Sequence, residues 1–157
     1  MLISKIVNTG YEVLLVCMTA PVLAQIIKFF LHLIMDRKID FRQFTTTGGM
    51  PSAHSACVVG LSTVVGLLKG FNSVEFAIAM GQALVVMYDA AGLRRAAGRQ
   101  AACLNKIIDD FYKNETVALG GRLKELLGHT PIQVFWGAVL GVVYAYYIHQ
   151  YFLGFVK

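Results

Sequence analysis

Two predominantly apolar stretches, residues 13–34 and 132–155, each exceed twenty residues, and their length constrains this chain more than any other feature. At about 1.5 Å per residue, roughly twenty residues cross a hydrocarbon core about 30 Å thick. A span in lipid must satisfy its own backbone, which leaves a helix as the simple solution. Two further apolar stretches, 53–68 and 74–88, fall short by the same arithmetic. Each reads either as a buried core helix or as a span whose polar ends lie below the membrane surface. Composition agrees with a membrane chain. The apolar fraction is 57% and charged residues are 15%, against roughly 45–50% and about 25% in soluble domains. The expected fold is all-α: a small multi-pass transmembrane bundle of about four spans plus one amphipathic interfacial helix. It should form a single integral membrane domain over residues 1–157.

The beginning of the chain has a second reading. Lys5, the apolar 13–20 run and Val22-Leu23-Ala24 resemble a signal peptide with a small-residue cleavage site. Glu12 opens that run and apolar residues continue past Ala24 to Ile34, so a retained first span is expected. Cys17, Cys57 and Cys103 are an odd set without metal-ligand spacing, and read as small buried hydrophobes. No internal repeat or long flexible linker divides the chain.

With four spans, alternate loops share a side. The 37–51 segment and the 90–130 segment then face the same way, bringing together Gly48-Gly49-Met50-Pro51-Ser52-Ala53-His54-Ser55 and Gly128-His129-Thr130-Pro131. Lys28, Arg42, Asp89, Arg94, Arg95 and Arg122 fall on that side too. Of the fourteen Lys and Arg residues, only Lys5, Lys69 and Lys157 lie opposite. The positive-inside rule makes the motif side cytoplasmic and both termini external. Residues 92–112 predict an amphipathic helix: Leu93, Ala97, Ala101, Leu104, Ile108 and Phe111 recur at helical spacing beside a basic stripe of Arg95, Arg99 and Lys106. Such a helix suits an anionic leaflet surface.

Each histidine run introduces an apolar segment. Glycines that admit close backbone approach, beside a helix N-terminus and an imidazole, suit a phosphate. Pro51 fits the first helical position of the second span. Thr130-Pro131-Ile132-Gln133 carries a helix-start signature, with Thr130 as N-cap, Pro131 at N1 and Gln133 reaching back as a capping-box partner. Those structural roles account for three of the residues and leave His129 without one. A histidine at a helix mouth, seven residues after Arg122, has the chemistry to attack phosphorus while the arginine neutralises the phosphoryl oxygens.

Three blocks carry a family resemblance: Thr47-Gly48-Gly49-Met50-Pro51-Ser52-Ala53-His54-Ser55-Ala56, Val86-Met87-Tyr88-Asp89-Ala90-Ala91-Gly92-Leu93-Arg94-Arg95-Ala96-Ala97-Gly98-Arg99-Gln100-Ala101, and Leu123-Lys124-Glu125-Leu126-Leu127-Gly128-His129-Thr130-Pro131. In order, they resemble the divergent phosphatidic acid phosphatase type 2 family, a branch of the superfamily that also holds the vanadium haloperoxidases. The resemblance is clearest over residues 25–141. It implies a helical site in which one histidine attacks phosphorus and a second protonates the leaving oxygen. A lysine and two arginines hold the phosphoryl oxygens, and an aspartate orients the nucleophile. By resemblance His129 takes the nucleophile position, His54 the acid position and Arg122 the arginine position, one residue further from the nucleophile than usual. The expected phosphate-binding set is Lys28, Arg42, Ser52, Arg94, Arg95 and Arg122.

Two departures stand out. The superfamily's first motif, a lysine seven residues before an arginine-proline pair, is absent, and Lys28 and Arg42 substitute only loosely. Gln133 stands where the orienting aspartate is expected; a glutamine accepts a hydrogen bond from imidazole but cannot stabilise an imidazolium as a carboxylate does. Asp89, at the end of the third span, is the acid to consider. It has three readings: pairing with Arg94 or Arg95, orienting His129, or binding a divalent cation. Lys28 has two, a lysine snorkelling to the interface or one reaching inward to a phosphate. Gln25 and His32 share its helical face and favour the inward reading. Trp136, Tyr144, Tyr146, Tyr147 and Tyr151 read as packing and interfacial anchors, and His149 as interfacial.

The expected function is a membrane-embedded phosphatase acting on a lipid-linked phosphate or diphosphate of polyprenyl phosphate, phosphatidate or phosphatidylglycerophosphate type. A bacterial inner membrane, with the motif side cytoplasmic, is the expected setting. The histidine mechanism requires no cofactor, and a divalent cation at Asp89 is the alternative. Partners are membrane lipid and the phosphorylated substrate, with a homo-oligomer compatible. Nucleic acid is not expected despite the formal charge of +5, because the basic residues lie against the membrane. The rival reading is a non-catalytic protein that binds or moves phosphorylated lipid.

Overall fold

The computed structural model describes residues 6–36, 49–111 and 128–156. They form five helices and, among the described residues, no strand: α1 (Gly10–Asp36), α2 (Ala53–Lys69), α3 (Val74–Ala91), α4 (Leu93–Phe111) and α5 (Pro131–Val156). Among the described residues, three apolar helical stretches are long enough to cross a membrane: Gly10–Met35, Val74–Asp109, in which α3 runs on into α4, and Pro131–Gly154. The architecture is the expected all-α membrane bundle.

The two shorter apolar segments have different fates. Helix α2 lies at the centre, packed against α1, α3 and α5, and buries Ser55, Ala56, Val59, Gly60, Ser62, Thr63, Val64 and Gly66. Most of these residues are small, which lets neighbouring backbones approach where lipid offers no hydrophobic drive. Ser62 and Thr63 turn their hydroxyls back onto the Val59 carbonyl, at 3.0 and 2.8 Å, so neither is left unpaired in the core. Helix α3 is peripheral. It buries only Ala83 and Ala90 and exposes Ile78, Leu84, Val85 and Tyr88.

Helix α1 presents one residue in every four to the interior: Glu12, Val16, Ala20, Ala24 and Lys28 are all buried. Pro21 sits inside this helix and has no N–H for the carbonyl four residues earlier, that of Cys17. The Cys57 thiol of α2 donates to that same carbonyl at 3.2 Å. A neighbouring helix thus supplies the bond that proline withholds, as membrane bundles permit.

Helix α5 meets α2 through Gly137 and Gly141. A Cβ at Gly141 would lie 2.7 Å from the Ala56 carbonyl oxygen and 2.8 Å from the Gly60 nitrogen. A Cβ at Gly137 would collide with the Ser52 carbonyl oxygen. Glycine is therefore required at both positions for this contact. Tyr144 adds a polar tie by donating to Thr19 at 2.8 Å.

At the far end, the start of α1 meets the end of α5. The Glu12 carboxylate, fully buried, accepts from the Asn8 backbone N–H at 2.8 Å and pairs with His149 Nδ1 at 2.7 Å. His149 is buried in this pair, where the sequence suggested an interfacial residue; its partner is 137 residues away in the chain.

Candidate active site

The site assembles where the end of α1, the turn at residues 49–52, the start of α2, the end of α3 and the start of α5 converge. Helix α5 begins as its sequence dictates. Gln133 N–H donates to Thr130 Oγ1 at 3.4 Å, and the Gln133 side-chain oxygen accepts the Thr130 N–H at 3.0 Å. This reciprocal capping box fixes the chain's entry angle into the helix. His129, one residue earlier, is held by its backbone N–H donating to the Ala90 carbonyl of α3 at 3.1 Å.

The other motif starts its helix two residues later than expected. Ser52 caps α2, its hydroxyl accepting the Ser55 N–H at 3.4 Å, so Pro51 precedes the cap and does not occupy the first helical position. The Met50–Pro51 peptide bond is cis. Ser52 N–H also donates to the Gln133 carbonyl at 3.0 Å, a direct tie between the two motifs. Ser52 is fully buried, and its hydroxyl serves the cap.

These ties bring the two histidines together. The rings of His54 and His129 lie 5.9 Å apart between centroids at an interplanar angle of 66°. His129 is buried, 4% exposed, whereas His54 is exposed. One imidazole is thus fixed in the protein while its neighbour sits at the mouth. His129 Nδ1 faces Gln133 Oε1 at 3.4 Å, so the same glutamine that caps α5 also touches the ring.

Lys28 comes in from α1. It is 5% exposed, so its side chain lies within the protein and does not snorkel to an interface. Its aliphatic stem lies against Gly49, where a Cβ would stand 3.0 Å from Lys28 Cδ and 3.3 Å from Cε. Gly49 also has φ +84°, a conformation that disfavours other residues. Gly49 is therefore required twice over, once by its backbone and once by the lysine beneath it. A cavity of about 390 Å³ is lined by Lys28, Leu31, His32, Met35, Gly49 and Met50.

The electrostatics favour an anion. Burial pushes the His129 proton affinity below the ordinary histidine value of 6.5, and His54 and Lys28 push the same way. Hydrogen bonds to Gln133 and the Gly49 backbone oppose that shift without reversing it. His129 is consequently neutral near pH 7, beside a buried lysine and the positive end of α5.

Asp89 immediately precedes the residue whose carbonyl receives His129 N–H, so its backbone reaches the site. Arg42 and Arg122, and the side chains of Arg94 and Arg95, lie outside the described residues. Among the described residues no cluster of three or more His, Cys, Asp or Glu side chains suits a metal ion. The sequence reading did not identify the Gly137/Gly141 contact or the Glu12–His149 pair. Glycines four apart in an apolar segment are a visible signal for the first, and nothing local marks the second.

A family model described as "Divergent PAP2 family" matches residues 9–144. The chain is similar to the uncharacterized membrane protein YuiD of Bacillus subtilis (strain 168), with 41% identity over 150 residues that cover 89% of this chain and 95% of the relative. No solved structure matches.

Proposed function

The chain belongs to the divergent PAP2 family and is a phosphatase-related integral membrane protein, and from that premise we propose that it hydrolyses a lipid-linked phosphate through a histidine nucleophile. The observation that carries this reading is the pairing of a buried, neutral His129 with an exposed His54, their rings 5.9 Å apart beside Lys28.

A nucleophile must carry a free lone pair, and its acid partner must reach the leaving group. Nδ1 of His129 faces Gln133, so Nε2 is the nitrogen for phosphorus. In the first step the Nε2–P bond forms and the bond from phosphorus to the lipid oxygen breaks. His54 gives its proton to the departing alkoxide. Water then attacks the phosphohistidine with His54 taking its proton, which releases inorganic phosphate and restores both rings. Lys28 holds the phosphoryl oxygens, with Arg42, Arg94, Arg95 and Arg122 as further phosphate ligands and Asp89 as the acid that supports His129. The route needs no cofactor. A divalent cation bound through Asp89 is the alternative way to activate water.

The setting proposed is a bacterial inner membrane with the site on the cytoplasmic leaflet, supported by the bias of basic residues to that side. A second reading, lipid-phosphate binding without turnover, is favoured by one observation. Gln133, in place of a carboxylate, makes only a long 3.4 Å contact to His129 and offers no charge to an imidazolium. Phosphate release by the purified protein from prenyl phosphates and diphosphates, phosphatidate and phosphatidylglycerophosphate decides among these. Release that survives chelator supports the histidine route, and release lost on chelation supports the cation. No release from any substrate supports the binding reading.

A further inference from the structure

Helix α3 carries a polar side chain where a bilayer has nothing to pair with it. Gln82 lies eight residues after Val74 and nine before Ala91, so either end of the helix is more than about 10 Å away at 1.5 Å per residue. That is too deep for a side chain of two methylenes to bring its carboxamide to interfacial water. Gln82 is exposed, and among the described residues its side chain has no hydrogen-bond partner. It borders a shallow groove of about 410 Å³ lined by Ala77, Ile78, Gly81, Gln82, Val85 and Val86. Every one of these belongs to α3, so no other described helix covers the groove. A Cβ at Gly81 would meet nothing within 4 Å, whereas one at Gly141 would strike the backbone of α2. The glycine of α5 is taken up by a helix contact; that of α3, four residues after Ala77, presents the same close-approach surface to the outside.

We propose that this face of α3 is a homodimer interface, in which Gln82 pairs with Gln82 of the partner subunit. The carboxamide decides the occupant. A lipid tail offers it neither donor nor acceptor, and an unpaired amide in hydrocarbon is costly. A carboxamide has an acceptor oxygen and two N–H donors, so it is complementary to itself. Two copies inserted in the same direction hold their glutamines at the same depth. A twofold axis along the bilayer normal then lets the Nε2 of each copy donate to the Oε1 of the other. The groove supplies the approach: at Ala77 and Gly81 the two backbones can come close, as small residues permit between membrane helices. This use leaves the rest of the bundle undisturbed. The two buried residues of α3, Ala83 and Ala90, lie on the side of the helix opposite Gly81 at 3.6 residues per turn. The proposal does not depend on the phosphatase reading, because pairing of α3 helices needs no substrate.

The test is the oligomeric state of the full chain, fluorescently labelled, in liposomes of decreasing protein density, read by single-molecule photobleaching. Two-step bleaching is expected to dominate at high density and to give way to single steps on dilution. Gln82→Leu, which makes α3 wholly apolar at this depth, should raise the density at half-dissociation at least tenfold. Gly81→Leu, which fills the groove, should do the same, and Gly154→Leu, at the end of α5, should change nothing. A second measurement stands if those variants fail to fold. Val85→Cys should cross-link between copies on oxidation with copper-phenanthroline at least fivefold more than Val143→Cys, which lies exposed on α5. A chain that is monomeric at every density overturns the proposal, whether the face meets lipid alone or a different protein. A dimer that neither Gln82→Leu nor Gly81→Leu weakens, or equal cross-linking at the two cysteine positions, puts the interface elsewhere and overturns it as well.

Discussion

His129 and His54 differ in burial, and in the proposed reaction that difference separates their roles. Because burial and its cationic neighbours lower the His129 proton affinity from the ordinary 6.5, it remains unprotonated until the pH falls below that value. With an activated aryl phosphate, whose leaving group needs no proton from His54, turnover should therefore decline only below pH 6.5. Gln133→Glu keeps the cap's reach and places a carboxylate against Nδ1, which favours the imidazolium; the acid limb of kcat/KM should move upward, and formation of the phosphohistidine should quicken. His129→Ala should abolish turnover while lipid-phosphate binding persists through Lys28, and rapid quench with labelled substrate should trap phosphorus on His129 in the unsubstituted chain. Full turnover by His129→Ala would transfer attention to Asp89. For His54 the test is the leaving group. His54→Ala should lose roughly 10²–10⁴-fold on lipid alkoxides, the usual range for general acid catalysis, and far less on an activated aryl phosphate. Equal losses on both would make His54 a positioning residue.

At the scale of elements, the site depends on how closely α5 approaches α2. Gly137 stands against Ser52 and Ser55, one turn from the Gln133 carbonyl that receives Ser52 N–H. Gly137→Ala should push the two motifs apart and lower activity at least tenfold, since misplacement by about 1 Å is enough for losses near 10²-fold. The same change at Gly154, where a Cβ meets nothing within 4 Å, should be silent; thermal melts in detergent alongside turnover compare the two. The Cys57–Cys17 contact makes a separate prediction. Cys57→Ala removes the donor to the carbonyl that Pro21 leaves open, and should destabilise the bundle by about 1 kcal/mol, the scale of a buried unpaired polar group. Cys57→Ser should retain most of that stability.

At the scale of the molecule, polar groups mark both ends of the α1–α5 pair. Glu12 and His149 close one end, and Lys28 and His129 meet near the other, sixteen residues further along α1, or about 24 Å. The site and the buried acid–histidine pair therefore lie towards opposite ends of the bundle. If the site side is cytoplasmic, cysteines engineered into segments 37–51 and 90–130 should resist an impermeant reagent applied to intact cells, while one at Asn72, in the α2–α3 turn, should react. Labelling of the two segments from opposite sides would end the shared-site arrangement.

The sequence by itself determined the class of fold, because span length and hydrophobicity are local properties that the bilayer reads directly. It also determined the start of α5, since Thr130, Pro131 and Gln133 act within one turn. Only the tertiary structure decided which short apolar helix is central: α2 and α3 are similarly apolar, and the distinction lies in the small residues of α2 meeting Gly137 and Gly141. Likewise, Lys28 had two readings in the sequence, and its burial followed from a glycine 21 residues away. The nearness of His54 and His129 was legible as a shared side but not as a distance. Their spacing depends on the Ser52–Gln133 and His129–Ala90 hydrogen bonds, which join segments far apart in the chain and leave no periodicity for a sequence to display.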